Sequence, residues 1–175
     1  MNTYAILLRG VTPTGRNRVP MAELRAALTD AGLGDVRTYI QSGNVIAKSP
    51  LEQTATEALV HQVIAREIGA DIAVLARTHE EIERIVAGNP FPPDAASRTY
   101  FTLLASAPAS PLVEALRGQD FSPDEVRIVA TTIYTLYATK LSDSKFHNNY
   151  FERKLKVAAT TRNFNTLSRL VELSG

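Results

Sequence analysis

The chain has 175 residues, 45% of them hydrophobic, and its 19 basic and 18 acidic side chains leave a formal net charge of +1. That length and composition fit one compact domain or two small lobes, and the near-neutral balance supplies no global field for a polyanion. Cysteine is absent, which removes disulfides, thiolate nucleophiles and cysteine-ligated metal centres and agrees with a reducing compartment.

The start, MNTYAILLRG, has no basic n-region and no A-x-A-like cleavage site, and no apolar run approaches a membrane span. A cytoplasmic protein is expected. Tyr4 to Leu8 is apolar on both faces, as in a central strand. Pro20 then opens a helix whose stripe is Met21, Leu24 and Leu28 and which ends at Gly32. VRTYIQ and VIAK flank the turn-forming Ser42, Gly43 and Asn44 and predict a hairpin. Ser49, Pro50 and Glu52 read as a capping box for a second helix with Ala55, Leu59 and Val63 inward, stopping at Gly69. DIAVLA, residues 71 to 76, completes βαββαβ.

Thr78 and Glu81 cap a connecting helix that ends near Gly88, followed by the loop NPFPP. The same order then recurs. TYFTLLA is a strand, a helix runs from Ser110 to about Gly118, EVRIVA and IYTLYA form a hairpin, residues 145 to 155 form a helix, VAATT is a short strand, and a helix over 163 to 173 ends the chain. No residue-level repeat is visible between the halves. The expected fold class is α+β, a tandem pair of ferredoxin-like βαββαβ units with antiparallel sheets and helices packed on them. The boundaries are a first lobe over 1–77, a connecting helix and loop over 78–98, and a second lobe over 99–175 that includes the C-terminal helix.

Chemistry is sparsely signalled. RGVTPTGRN spaces Gly10 and Gly15 as in a phosphate-binding loop, with Arg16 and Asn17 where that loop has Lys and Ser or Thr. Pro13 removes one backbone donor, the helix starts only near Pro20, and no hydroxyl stands in the magnesium position. A nucleotide cradle is therefore rejected. What remains is a connection presenting Arg9, Arg16 and Arg18 to an anion. The hairpin tip offers Gln41, Ser42 and Asn44, and TTRNFNT places Arg162 at a helix start, where the dipole disfavours a cation unless an anion lies near. Residues 140 to 175 hold seven basic against three acidic side chains. The three histidines form no triad, Ser144 and Lys145 are not a helical turn apart, and no metal-ligand spacing occurs, so no catalytic group, metal or cofactor is assigned. Ferredoxin-like RNA binders stack bases on central-strand aromatics. The first lobe has only Tyr4 there, while Tyr100, Phe101, Tyr134 and Tyr137 of the second read as core.

LLRGVTPTGRNRVPMAELRAAL, VRTYIQSGNVI, LSDSK and TTRNFNTLSRL together are similar to a bacterial family of unknown function. The resemblance implies a duplicated ferredoxin-like α+β fold and supplies no activity. Family members usually carry Ile-Asn and a glycine pair in the first loop, Lys at the positions of Arg16 and Arg18, and Trp at that of Phe164. The loop here lacks that Asn and contains Pro13.

The sequence reading sets the first loop and the hairpin tip at opposite ends of their sheet, and the TRN segment at the hairpin end of its own. Two composite sites are then open: the basic loop with Ser144 and Lys145, or Ser42 and Asn44 with Arg162 and Asn163. The second is preferred for its neutral amides and single Arg, with Arg9 and Arg16 as further ligand contacts. The first functional reading is a binding module for a small anionic or phosphorylated ligand. The second is a cofactor-independent enzyme with an Arg and amide oxyanion site, and the third is a nucleic-acid or protein-interaction module. A small anion is expected as partner ahead of nucleic acid, with no membrane.

Overall fold

The computed structural model describes residues 1–41 and 43–175. The chain divides into two compact units, one of Met1–Arg84 with Arg169–Gly175, the other of Ile85–Ser168. The end of the C-terminal helix thus belongs with the first unit, whereas the sequence order assigns it to the second lobe. In the first unit Arg37 Nη2 donates to Leu173 O at 2.8 Å, and His79 Nδ1 lies 3.0 Å from Ser174 Oγ.

The first unit contains β1 (Asn2–Leu8), α1 (Met21–Asp30), β2 (Gly34–Tyr39), β3 (Asn44–Ser49), α2 (Gln53–Val63) and β4 (Val74–Thr78), and α3 (His79–Ala87) starts in it. Its sheet has the order β2-β3-β1-β4, with every neighbouring pair antiparallel. The second unit contains β5 (Thr99–Leu104), α4 (Ser110–Arg117), β6 (Glu125–Val129), β7 (Thr132–Leu136), α5 (Asn148–Leu155) and β8 (Ala159–Asn163), with the start of α6 (Phe164–Ser174). Its order is β6-β7-β5-β8, again fully antiparallel. Both are ferredoxin-like arrangements, and the chain is an α+β protein in which that topology occurs twice.

Alternation along the strands builds each core. Tyr4, Ile6 and Leu8 of β1, Val45 and Ala47 of β3 and Ala76 of β4 share one core with Leu24 and Leu28 of α1, Val60 of α2 and Ile64 just after it. Each fully buried Leu, Ile or Val among them contributes about 1.5–3 kcal/mol. The second core joins Leu104 and Ile133 to Leu116, Phe121, Phe146, Phe151 and Leu155.

Three local expectations are corrected. Ser49 is no helix cap: its Oγ accepts from Leu51 N at 3.1 Å and lies 2.8 Å from Thr56 Oγ1, so it ties the end of β3 to α2. The inward stripe of α2 is Thr56, Val60 and Val63, with Ala55 exposed and Leu59 half-buried. Finally, β4 starts three residues later than expected and takes in Arg77 and Thr78, whose backbones pair with Ala5 and Tyr4. The box of Thr78 and Glu81 forms as read: Thr78 N donates to Glu81 Oε2 at 2.8 Å, and Glu81 N donates to Thr78 Oγ1 at 3.2 Å.

Candidate functional site

Because β1 runs antiparallel to β3, the end of β1 meets the start of β3, and the hairpin between β2 and β3 lies beside the β1–α1 connection. Opposite ends were expected, and the pairing overturns this. Leu8 N donates to Gly43 O at 2.9 Å, and Arg9 N donates to Ala73 O at 3.0 Å, so hairpin, first loop and entry to β4 converge. The contact is tight. Gly43 has φ +83°, and a Cβ on it would lie 2.8 Å from both Leu8 Cβ and Val11 Cγ2. Only glycine meets both demands.

The loop folds on itself. Thr12 N donates to Asn17 O at 3.0 Å, Arg18 N donates to Gly15 O at 3.3 Å, and Thr12 Oγ1 donates to Thr14 O at 2.7 Å. Gly10 and Gly15 take φ +70° and +82°. The glycines therefore shape a turn whose own carbonyls use these donors. Between this turn, the start of α1 and the hairpin is a cavity of about 430 Å³, lined in part by Val11, Thr12, Arg18, Met21 and Gln41. Arg16 and Arg18 are exposed and Arg9 is half-buried. From residue 9 to residue 22 no carboxylate occurs.

The other candidates lie elsewhere or serve the fold. Ser42 lies outside the described residues. Asn44 is fully buried and its Nδ2 donates to Tyr39 O at 3.1 Å, closing the hairpin. Asn163 Oδ1 accepts from Thr166 N at 2.8 Å and caps α6. Arg162 is buried in β8, where its Nη1 donates to Thr160 Oγ1 at 2.6 Å and to Thr161 O at 3.0 Å, and burial pulls its pKa down to about 10. Asn44 belongs to the first unit and Arg162 and Asn163 to the second, so these residues form one pocket within neither. Nor does the TRN segment stand at its own unit's hairpin end. Asn163 pairs with Tyr100 at the start of β5, whereas Thr131 O accepts from Leu104 N at its end.

Register exposes a correspondence that sequence reading missed. Arg77 pairs with Ala5 one step after the Tyr4–Thr78 pair, and Arg162 pairs with Phe101 one step after Tyr100–Asn163. Each unit therefore buries an arginine in its closing strand, immediately before the residue that caps the following helix. Arg77 has Glu57 3.9 Å away, and its Nη1 donates to Ala76 O at 2.8 Å. Burial lowers its pKa, while Glu81 and Glu57 oppose that shift. Burial likewise raises Glu57, whose Oε1 accepts from Ala76 N at 2.7 Å.

The histidines make no catalytic set. His61 Nε2 lies 2.9 Å from Asp71 Oδ1 on the surface, His79 contacts Ser174, and His147 precedes α5. Ser144 Oγ donates to Asp124 Oδ2 at 2.7 Å and accepts from Phe146 N at 3.0 Å, a turn rather than a nucleophile with a base. Among the described residues no group of three or more acidic or histidine side chains is placed to hold a metal, and no helix is long and apolar enough to cross a membrane.

The solved structure of the conserved bacterial protein SP0830 from Streptococcus pneumoniae matches 99% of this chain and 98% of its own, with a TM-score of 0.74 and 21% identity. That likeness is one of fold. No curated protein matches the chain. A family model described as a protein of unknown function, DUF1697, matches residues 1–134. That span holds the whole first unit's sheet, the first loop, the first hairpin and the second as far as the middle of β7, and the chain belongs to this family.

Proposed function

We propose that the protein is a binding module for a small anionic or phosphorylated ligand, held where the β1–α1 connection meets the β2–β3 hairpin. The observation that carries this reading is that Arg18 and Gln41 line one cavity of about 430 Å³, formed by a carboxylate-free loop that also bears Arg9 and Arg16 outside the lining. Guanidinium groups offer planar forks matched to phosphate, and an amide adds orientation without charge. Val11 and Met21 on the same wall suit a ligand with an apolar body. Binding is favoured over catalysis because no histidine or carboxylate lines this cavity to move a proton. In this reading Asn44, Asn163 and Arg162 support the fold rather than touch the ligand.

Thermal denaturation in increasing inorganic pyrophosphate, with ionic strength matched by potassium chloride, tests the site. The expected result is a saturable rise in melting temperature, since a ligand of the native state alone stabilises it by mass action. Arg16→Gln with Arg18→Gln changes two exposed side chains and should raise the apparent dissociation constant about tenfold or more, as loss of charged hydrogen bonds predicts. Absence of saturation, or equal saturation in the double variant, would overturn the reading.

A further inference from the structure

The second unit carries a different basic surface. Residues 140 to 156 contain Lys140, Lys145, Arg153, Lys154 and Lys156 against Asp143 and Glu152. All five cations are exposed. Both carboxylates are engaged locally: Asp143 Oδ2 accepts from Thr139 Oγ1 at 2.8 Å, and Glu152 Oε2 accepts from Ala159 N at 2.9 Å.

Beneath the cations runs a ladder of edge-to-face rings, with centroids 4.9 Å apart for Phe121 and Phe146, 5.1 Å for Phe146 and Tyr150, and 5.7 Å for Tyr150 and Phe151. Lys145 Nζ lies 5.3 Å from the Phe146 centroid, while Arg153 Cζ and Lys154 Nζ lie 5.5 Å and 5.6 Å from that of Tyr150. Two adjacent rings thus hold three cations in place. Tyr150 is itself fixed by donating its hydroxyl hydrogen to Gln119 Oε1 at 2.5 Å. Ordering long side chains costs entropy, and cations already seated on rings lose less of it on binding.

We infer that this face of α5 binds the phosphodiester backbone of a nucleic acid without reading its bases. Phe146 and Tyr150 are 4% and 7% exposed, so the rings seat cations and are closed to base stacking. The large exposed apolar side chains among the described residues are Met1, Ile40, Leu51 and Val129, none of them in this segment. A helix that inserts into a bilayer, and the buried core of a tight protein interface, bring exposed apolar side chains that this face does not have. A row of phosphates needs only the charges. This surface lies in the other unit from the ligand cavity and stands independently of it.

Fluorescence anisotropy of a labelled DNA duplex with the full chain, across about 50 to 200 mM salt, reads the binding as a linear fall of log K with log salt. Substituting Lys145→Gln, Arg153→Gln and Lys154→Gln together should flatten the slope by about 2.7, or about 0.9 for each phosphate no longer neutralised. The charge-keeping set Lys145→Arg, Arg153→Lys and Lys154→Arg should retain wild-type binding, which separates removal of charge from failure to fold. Duplexes of unrelated sequence should bind alike. The inference is overturned by absence of salt-sensitive binding, by an unchanged slope in the neutral set, or by phosphatidylserine vesicles or polyglutamate displacing the duplex at lower charge concentration.

Discussion

The two units share one topology and differ in which connections are long. In the first, β1 reaches α1 through residues 9–20, and four residues separate the paired Tyr39 and Asn44 of its hairpin. In the second, β5 reaches α4 through residues 105–109, and two residues separate Val129 from Thr132. At the other end the contrast reverses. Residues 50–52 join β3 to α2, whereas residues 137–147 join β7 to α5. A ferredoxin-like unit closes with the short forms, as each unit shows at one end, so the added chain serves something besides closure. The lengthened end of the first unit is the arginine loop, and that of the second carries Lys140 and Lys145 into the basic face. The two units are similar scaffolds, each with its long connections at a different end.

The hairpins give the sharpest way to break this comparison. Gly43 O and Thr131 O accept the equivalent bonds from Leu8 N and Leu104 N, both at 2.9 Å. Thr131 carries a side chain there, but Gly43 has no room for one beside Leu8 and Val11. Gly43→Ala should therefore cost about 2–4 kcal/mol from strained backbone and overpacking together. Thr131→Ala, at a half-buried turn position, should cost less than about 1 kcal/mol. Urea denaturation of both variants reads the difference, and equal costs would show that the first hairpin is not pinned to its loop.

The paired arginines come next. Arg77→Met leaves Glu57 half-buried without its neighbouring cation and should cost about 2–3 kcal/mol, less than a fully buried broken pair because water still reaches the carboxylate. The pH dependence carries a sign. Burial raises the folded pKa of Glu57 above its ordinary 4.5, so stability falls as pH rises from that value through the raised one. Arg77 works against that rise, and its removal should stretch the window of declining stability upward in pH. Arg162→Met should keep the window of the unaltered protein without the extension, since Arg162 is not among the groups that set the Glu57 shift and its own shift comes from burial. Chemical denaturation from pH 4 upward checks this, and parallel profiles for the two variants would remove the distinction.

What the sequence displayed was local. Element order, the first helix's stripe and the Thr78 and Glu81 box depend on neighbours a few positions apart, and all three form. The inner face of α2 was read one residue off because Thr56, a polar side chain, is turned inward by its bond to Ser49. The arrangement of loops about the first sheet was misread because it follows from strand direction, which the order βαββαβ already implies once β1 is run against β3. The arginine correspondence left no readable trace, since ART and TRN share little beyond the cation and pairing register alone aligns them. The cation seats of Lys145, Arg153 and Lys154 lie on rings one to four positions away, whereas the fixing of those rings by Phe121 and Gln119, across long chain separation, is what spacing does not show.

The smallest effect concerns the two caps, where the units should behave alike. Thr78 Oγ1 accepts from Glu81 N at 3.2 Å and Asn163 Oδ1 from Thr166 N at 2.8 Å, each satisfying one donor at a helix start. Thr78→Ala and Asn163→Ala should each cost about 1 kcal/mol. The shorter bond of Asn163 puts its loss at the upper part of that range, and Thr78 keeps half of its box because Glu81 still accepts from the residue 78 backbone N–H. If Asn163 instead belonged to an anion site, its alanine variant would weaken pyrophosphate binding as well as stability. A binding constant unchanged within error while the melting temperature falls assigns Asn163 to the fold.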